Sequence, residues 1–253
     1  MVVDSRKWTV LDWMMLRHVD GYIAANDELR DRARRLLSLP VERCVRISNG
    51  IKVAETHEPW PGQPTVIQVA NLRWPKGHDT AVRAAALVKV KKPDLRWIMV
   101  GQIPDPPTKY TQEVYRLIES LGLDGSVVLA GERIDVQPFL GDANVGVLTS
   151  DVDAMPSAVL EYMAARLPVV ITNVGEMPTH LLAANAGYVI EPRDPEAMAK
   201  AVIQLLEAPD EAARMGERGR SYVQKHFSIE ACVGQVAEFY GRVREMCKGG
   251  DRR

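Results

Sequence analysis

The sequence predicts an α/β domain built on a doubly wound parallel sheet, and two observations carry that expectation. From residue 64 onward, short apolar runs alternate with longer amphipathic ones. The short runs are rich in Val and Ile, as strands covered by helices on both faces require.

Taken in order, "TVIQVAN" (65–71) is a strand, and "DTAVRAAALVKV" (79–90) repeats apolar residues at helical spacing. "RWIMVG" (96–101) is the second strand, and "YTQEVYRLIESLG" (110–122) is a second helix ending at Gly122. "SVVLAG" (126–131) and "VGVLTS" (145–150) follow, with a short helix between them. A helix over 157–166 leads to the strand "PVVIT" (168–172) and then to the short strand "GYVIE" (187–191). Three helices close the chain over 194–208, about 210–226 and about 228–245. Asp194-Pro195 and Ser228 are start signals, and Pro209 separates the first two. The first 50 residues differ: one helix, a strand "GYIAAN" (21–26), a helix near 27–38, then "CVRISNG" (44–50). That is too little to bury a core alone.

Composition narrows the class. The chain has 253 residues, 46% hydrophobic and 26% charged, with a formal net charge of -1. Such a chain is globular, and its balanced charge gives no reason to expect a nucleic-acid partner. Cys44, Cys232 and Cys247 are odd in number and widely spaced, so a reducing cytosol is the expected compartment. No apolar run reaches the ~20 residues of a spanning helix. The opening "MVVDSRKWTVLDWMMLRHVD" carries Asp4 and Asp12 and does not read as a secretory signal. Its Trp8, Leu11, Met14, Met15 and Val19 fall near helical spacing. They are read as a helix packed on its own domain, with peripheral association at the inner membrane face as the alternative.

In an open parallel sheet, ligands bind beyond the C-terminal ends of the strands. Three loops reach that edge. "VANLRWPKGHD" (69–79) delivers Lys76 to the mouth of a helix, where a cation is disfavoured by the helix dipole unless an anion binds. "AGERID" (130–135) leaves the third strand. "SDVDAMPSAVLE" (150–161) leaves the fourth with Asp153 in the loop and Glu161 one turn into the helix, so both acids can face one crevice. The bland reading is that both acids are surface decoration. Gly77 and Gly175 serve tight turns. His78, His180 and the other histidines show no metal-ligand spacing, so no metal site is expected, and satisfied or exposed histidines are the better reading.

Residues 45–240 resemble the donor-binding domain of a family 4 glycosyltransferase, the C-terminal half of a GT-B fold with a Rossmann-like sheet and C-terminal helices. The landmarks run in order: "ISNGI" (47–51), "VANLRWPKGHD" (69–79), "MVGQ" (99–102), "VVLAGERIDV" (127–136), "DAMPSAVLEYMAARLPVVITNVGEMP" (153–178) and "GYVIEPRDPEAMAKAV" (187–202). "GERGRSYVQKHFS" (216–228) and Tyr240 also fit.

The resemblance implies retaining transfer of a sugar from a nucleotide sugar, which is a substrate; no cofactor is implied. Glu161 would grip the ribose hydroxyls, Asp153 the donor sugar, and Lys76 the diphosphate. The amides of Ala154, Met155 and Ser157 would add to that stabilisation, and Arg133 and Ile134 would flank the base. Asn71 stands where the family has an arginine, with Arg73 as a substitute, and Asp153 stands where the family has the longer glutamate.

On this resemblance, residues 1–50 are a remnant of the acceptor-binding domain and linker, 51–227 the donor domain, and 228–253 the closing helix with a frayed tail. The sequence is then a fragment, a misplaced start, or a stand-alone donor domain. The expected partners are an acceptor, glycan, lipid or small molecule, and for a stand-alone domain a separate acceptor-domain polypeptide or a second copy in a homodimer. A nucleotide-sugar-binding half without activity of its own is the rival reading, and a GT-B sugar-nucleotide epimerase fits the motifs less well.

Overall fold

In the computed structural model, which describes residues 19–48, 50–53 and 62–248, every Val- and Ile-rich run named above is a strand. The tail after Lys248 and, apart from Val19, the residues read as an opening helix (Trp8, Leu11, Met14, Met15 and Val19) lie outside the described residues. The chain divides into two compact units, one spanning Ile51–Ser228 and the other taking in the residues up to Gly50 and from Ile229 onward.

The first unit opens with β1 (Tyr22–Ala24), α1 (Asp27–Leu37) and β2 (Cys44–Arg46), and the two strands pair in parallel. Asn26 starts α1 by accepting a hydrogen bond from the Leu29 amide at 2.8 Å.

The second unit runs β3 (Thr65–Val69), α2 (His78–Lys91), β4 (Arg96–Val100), α3 (Lys109–Ser120), β5 (Val127–Gly131), α4 (Gln137–Gly141) and β6 (Val145–Leu148). It continues α5 (Ser157–Ala164), β7 (Val169–Thr172), α6 (Met177–Ala184), β8 (Gly187–Ile190), α7 (Pro195–Glu207) and α8 (Pro209–His226). The last helix, α9 (Ile229–Lys248), belongs to the first unit, where Cys232, Phe239 and Val243 form a buried cluster with Ile47.

Strand order in the second unit is β5-β4-β3-β6-β7-β8, all pairs parallel. Successive strand residues serve opposite faces. Val66, Trp97, Met99 and Val147 pack under α2, α3 and α7, whereas Ile67, Ile98, Leu148 and Ile171 pack under α5, α6 and α8. Every residue of β6 and β7 is buried, which is why these strands read as continuous apolar runs. Burying one large apolar side chain contributes about 1.5–3 kcal/mol.

The sequence reading passes directly from the strand at 168–172 to that at 187–191, but the structure places α6 between them. The pair is parallel, and a parallel pair needs a crossover. Pro178 sits in the first turn of α6, where its missing N–H does no harm, and Asn185 ends the helix in the left-handed region at φ 47°. None of the described helices is long and apolar enough to cross a membrane.

Candidate functional site

Strands β3 and β6 are neighbours, yet the chain leaves β3 toward β4 on one side and β6 toward β7 on the other. Their C-terminal ends therefore flank the switch point of the sheet, where an open α/β fold has its crevice. The connection from β3 to α2 brings Lys76 there, and the connection from β6 to α5 brings Asp153. Lys76 Nζ donates to Asp153 Oδ2 at 2.6 Å, with the two side chains 21% and 13% exposed. Ser150 Oγ donates to the same oxygen at 3.4 Å. The anion that a lysine beside the start of α2 calls for is thus supplied, in this structure, by Asp153. The pair keeps capacity in reserve: an ammonium has three donors, and the second carboxylate oxygen remains for a hydroxyl.

The two connections are also joined through their backbones. The Asp151 amide donates to the Pro75 carbonyl at 2.8 Å, and the Thr172 hydroxyl donates to the Ser150 carbonyl at 2.6 Å. Arg193 Nε and Nη2 both reach Asp151 Oδ2, at 2.9 and 2.8 Å, fastening the connection after β8 to the one after β6.

Glu161 lies one turn into α5, half-buried, with no hydrogen bond or ion pair among the described residues. Burial pushes its carboxyl above the usual carboxylate range. Its helix is fixed by the next residue: Tyr162 is fully buried, and its hydroxyl accepts a hydrogen bond from the Val69 amide at the end of β3. Gly146 on β6 makes room for that ring, since a Cβ there would stand 2.6 Å from it.

Ala154 and Ser157 are exposed and Met155 half-buried, and their amides have no backbone acceptor among the described residues. Asn71 lies on the Lys76 connection, where its Oδ1 accepts from the Gln102 amide at 3.0 Å and its amide nitrogen stays available. Arg73 is exposed on the same connection. Arg133 and Ile134 are exposed beyond β5, with β4 standing between them and β3. The Arg133 guanidinium sits 5.8 Å from the Phe139 ring centroid. So the structure joins Lys76 to Asp153, sets Ala154–Ser157 and Glu161 on the same connection and helix, and holds Arg133 and Ile134 two strands away.

Two of the described histidines are built into the fold. His78 is 0% exposed, its Nε2 is 3.3 Å from the Ala70 carbonyl, and burial lowers its pKa to about 4. His180 Nδ1 meets the Tyr222 hydroxyl at 2.9 Å. Among the described residues no group of three His, Cys, Asp or Glu side chains is placed to hold a metal. The sequence reading passed over Gln68, Thr149 and the Arg193–Asp151 clamp. A glutamine inside "TVIQV", a strand otherwise apolar around it, was the available signal, because a buried amide must find partners.

A cavity of about 280 Å³ lies at the opposite, N-terminal end of the strands, lined by Leu140, Ala143, Leu167, Pro168 and Leu205 among others. The Lys76–Asp153 pair is not in it.

Solved structures place the fold in a class. The chain is similar to Anabaena HepE, solved in complex with UDP, at a TM-score of 0.78 and 17% identity, covering 95% of this chain and 70% of that one. It is similar to a glycosyltransferase from Rickettsia africae at a TM-score of 0.76 and 20% identity, covering 93% and 68%. The fold is that of GT-B glycosyltransferases. The family model for glycosyl transferases group 1 matches residues 54–222, and the chain belongs to that family.

Among curated relatives, N-acetyl-alpha-D-glucosaminyl L-malate synthase of Bacillus anthracis is 29% identical over 185 residues, covering 73% of this chain and 47% of its own length. Alpha-D-kanosaminyltransferase of Streptomyces kanamyceticus is 28% identical over 246 residues, covering 90% and 62%. The chain thus spans less than two-thirds of the length of either relative.

Proposed function

We propose that this chain binds a nucleotide sugar as the donor part of a retaining, hexosyl-transferring glycosyltransferase of family 4. The observation that carries the reading is the Lys76–Asp153 pair at the switch point, beside a half-buried and unpartnered Glu161, in a chain of this family. In transfer, the bond between the anomeric carbon and the diphosphate oxygen breaks, the acceptor oxygen bonds to that carbon, and the acceptor's hydroxyl proton passes to the departing diphosphate. Negative charge therefore builds on the departing nucleoside diphosphate. Lys76, the amides of Ala154, Met155 and Ser157, and the N-terminus of α5 stabilise that charge. Asn71 and Arg73 assist from the Lys76 connection. Asp153 holds the ammonium with one oxygen and takes a donor-sugar hydroxyl with the other, while Glu161 accepts the ribose hydroxyls. Arg133 and Ile134 border the base.

No cofactor or divalent ion enters this scheme. The acceptor is held against the donor sugar by an acceptor-binding domain, in the cytoplasm or at its membrane face. The test is calorimetric titration with UDP, GDP, ADP and their glucose or mannose derivatives, with and without chelator. Binding of at least one diphosphate is expected, unaffected by chelation and weakened by Lys76→Met. Absence of binding to all of them would refute the reading.

A further inference from the structure

Two buried polar side chains on the central strands are arranged around the backbone that carries Lys76. Gln68 on β3 and Thr149 just beyond β6 are each 0% exposed. Gln68 Nε2 donates to the Thr149 Oγ1 at 3.0 Å and to the Lys76 carbonyl at 3.2 Å. The Thr149 hydroxyl donates to the Gly77 carbonyl at 2.8 Å, with the Lys76 carbonyl 3.1 Å away. Two consecutive carbonyls, on Lys76 and Gly77, are thereby tied to the end of β6. Gly77 permits the approach: its φ is +66°, and a Cβ there would stand 1.9 Å from the Thr149 carbonyl oxygen. Packing alone does not account for the arrangement. Gln68 Oε1 is buried without a partner, which works against stability, so an apolar side chain would suit the core better.

The network ties the end of one site-bearing connection, at Lys76 and Gly77, to the start of the other, at Thr149. Orienting the carbonyls of residues 76 and 77 fixes the direction in which the Lys76 side chain leaves the backbone. Thr149 stands four residues before Asp153, so one hydroxyl couples the connection holding the cation to the strand whose connection holds the anion. A lysine stem has four flexible bonds, and a single well-placed ammonium needs its base held still.

We propose that Thr149, backed by Gln68, is a positioning residue that sets Lys76 for anion binding. This rests on the reading of Lys76 as the diphosphate's partner. Without the Thr149 hydroxyl the Lys76–Gly77 peptide loses its tie to β6, the Asp153 pair loosens, and the ammonium samples solvent.

Two measurements test this, one of them free of nucleotide. The first is the acetylation rate of the Lys76 amine by acetic anhydride, read by peptide mass spectrometry on folded protein whose thermal melt has been checked. Thr149→Val and Gln68→Met should each raise that rate about tenfold, the scale of one lost hydrogen bond, while Thr149→Ser stays within about twofold of wild type. The second compares calorimetric affinities for UDP against uridine and for GDP against guanosine. Thr149→Val should weaken the diphosphate about tenfold and leave the nucleoside within about twofold; in a Lys76→Met background it should cost less than about twofold more. An unchanged acetylation rate in both Thr149→Val and Gln68→Met overturns the proposal. So does a diphosphate affinity that falls no further than the nucleoside's, which marks a general loosening. If wild type binds none of UDP, GDP, ADP and their glucose or mannose derivatives, the proposed function fails, and the acetylation rates still decide the role of Thr149.

Discussion

Glu161 combines burial with the lack of any partner, and the two together set opposite demands on binding and stability. Its carboxyl is pushed above the usual range, so the folded state holds the proton more tightly than the unfolded state does. As pH rises from the unfolded value the unfolded chain ionises first, and stability falls until the folded group has ionised too. Burial thus disfavours the ionised form of Glu161 in the free protein, and ribose hydroxyls donating to the carboxylate would relieve that cost. Glu161→Gln should raise the melting temperature of the free protein at pH 7, with the gain vanishing near pH 4. It should also weaken nucleotide binding by about 1.5–3 kcal/mol, the range for a hydrogen bond to a charged group. Unchanged affinity with unchanged melting would remove Glu161 from the site.

His78 works in the other direction. With a folded pKa of about 4 it stays neutral where the unfolded histidine takes up a proton, so it contributes stability above pH 6.5 that is lost as pH falls toward 4. The full loss is about 3 kcal/mol. Urea unfolding at pH 7.0 and 5.0 should show a smaller drop for His78→Gln than for wild type, because the variant has no proton to take up at that position.

At the scale of elements, the tightest constraint is the turn entering α2. Gly77 combines a positive φ with contact against the Thr149 carbonyl, so even alanine must move backbone on one side or the other. Gly77→Ala should lower unfolding free energy by about 2–4 kcal/mol and weaken diphosphate binding along with it. A variant with wild-type stability and binding would show that the turn relaxes freely. Helix α5 is held differently, by the Tyr162 hydroxyl at the end of β3 and by the space Gly146 leaves for the ring. Its position is set from within the core and not by a side-chain cap, which Pro156 does not supply.

For the whole molecule, the Ile51–Ser228 unit contains all six strands of the larger sheet and every candidate site residue. Both hydrophobic cores that sandwich the sheet are made within it. Expressed alone, residues 51–228 should unfold in one cooperative transition and bind nucleotide within about threefold of the full chain, a difference of under 1 kcal/mol. A non-cooperative melt, or lost binding in a folded fragment, would show that the site needs the rest of the chain.

Local sequence determined the elements of this protein, because hydrophobic periodicity and cap residues act over a few positions. "VGVLTS" and "PVVIT" could only be strands covered on both faces, and Asp194-Pro195 starts α7 with the Asp194 carboxylate accepting from the Ala197 amide at 2.8 Å. The short helix Met177–Ala184 left no such trace, since its eight residues are too few and too uniformly apolar to show a helical stripe. Lys76 and Asp153 were legible as residues that reach the same sheet edge, but their contact spans 77 positions and exists only once β3 and β6 are neighbours. The Gln68–Thr149 network spans 81 positions and depends on the same pairing. The final helix likewise gives no local sign that it joins the first fifty residues. Short-range preference decides what each segment becomes; which distant polar groups meet, and at what distance, is decided by strand order and register, properties only the folded sheet has.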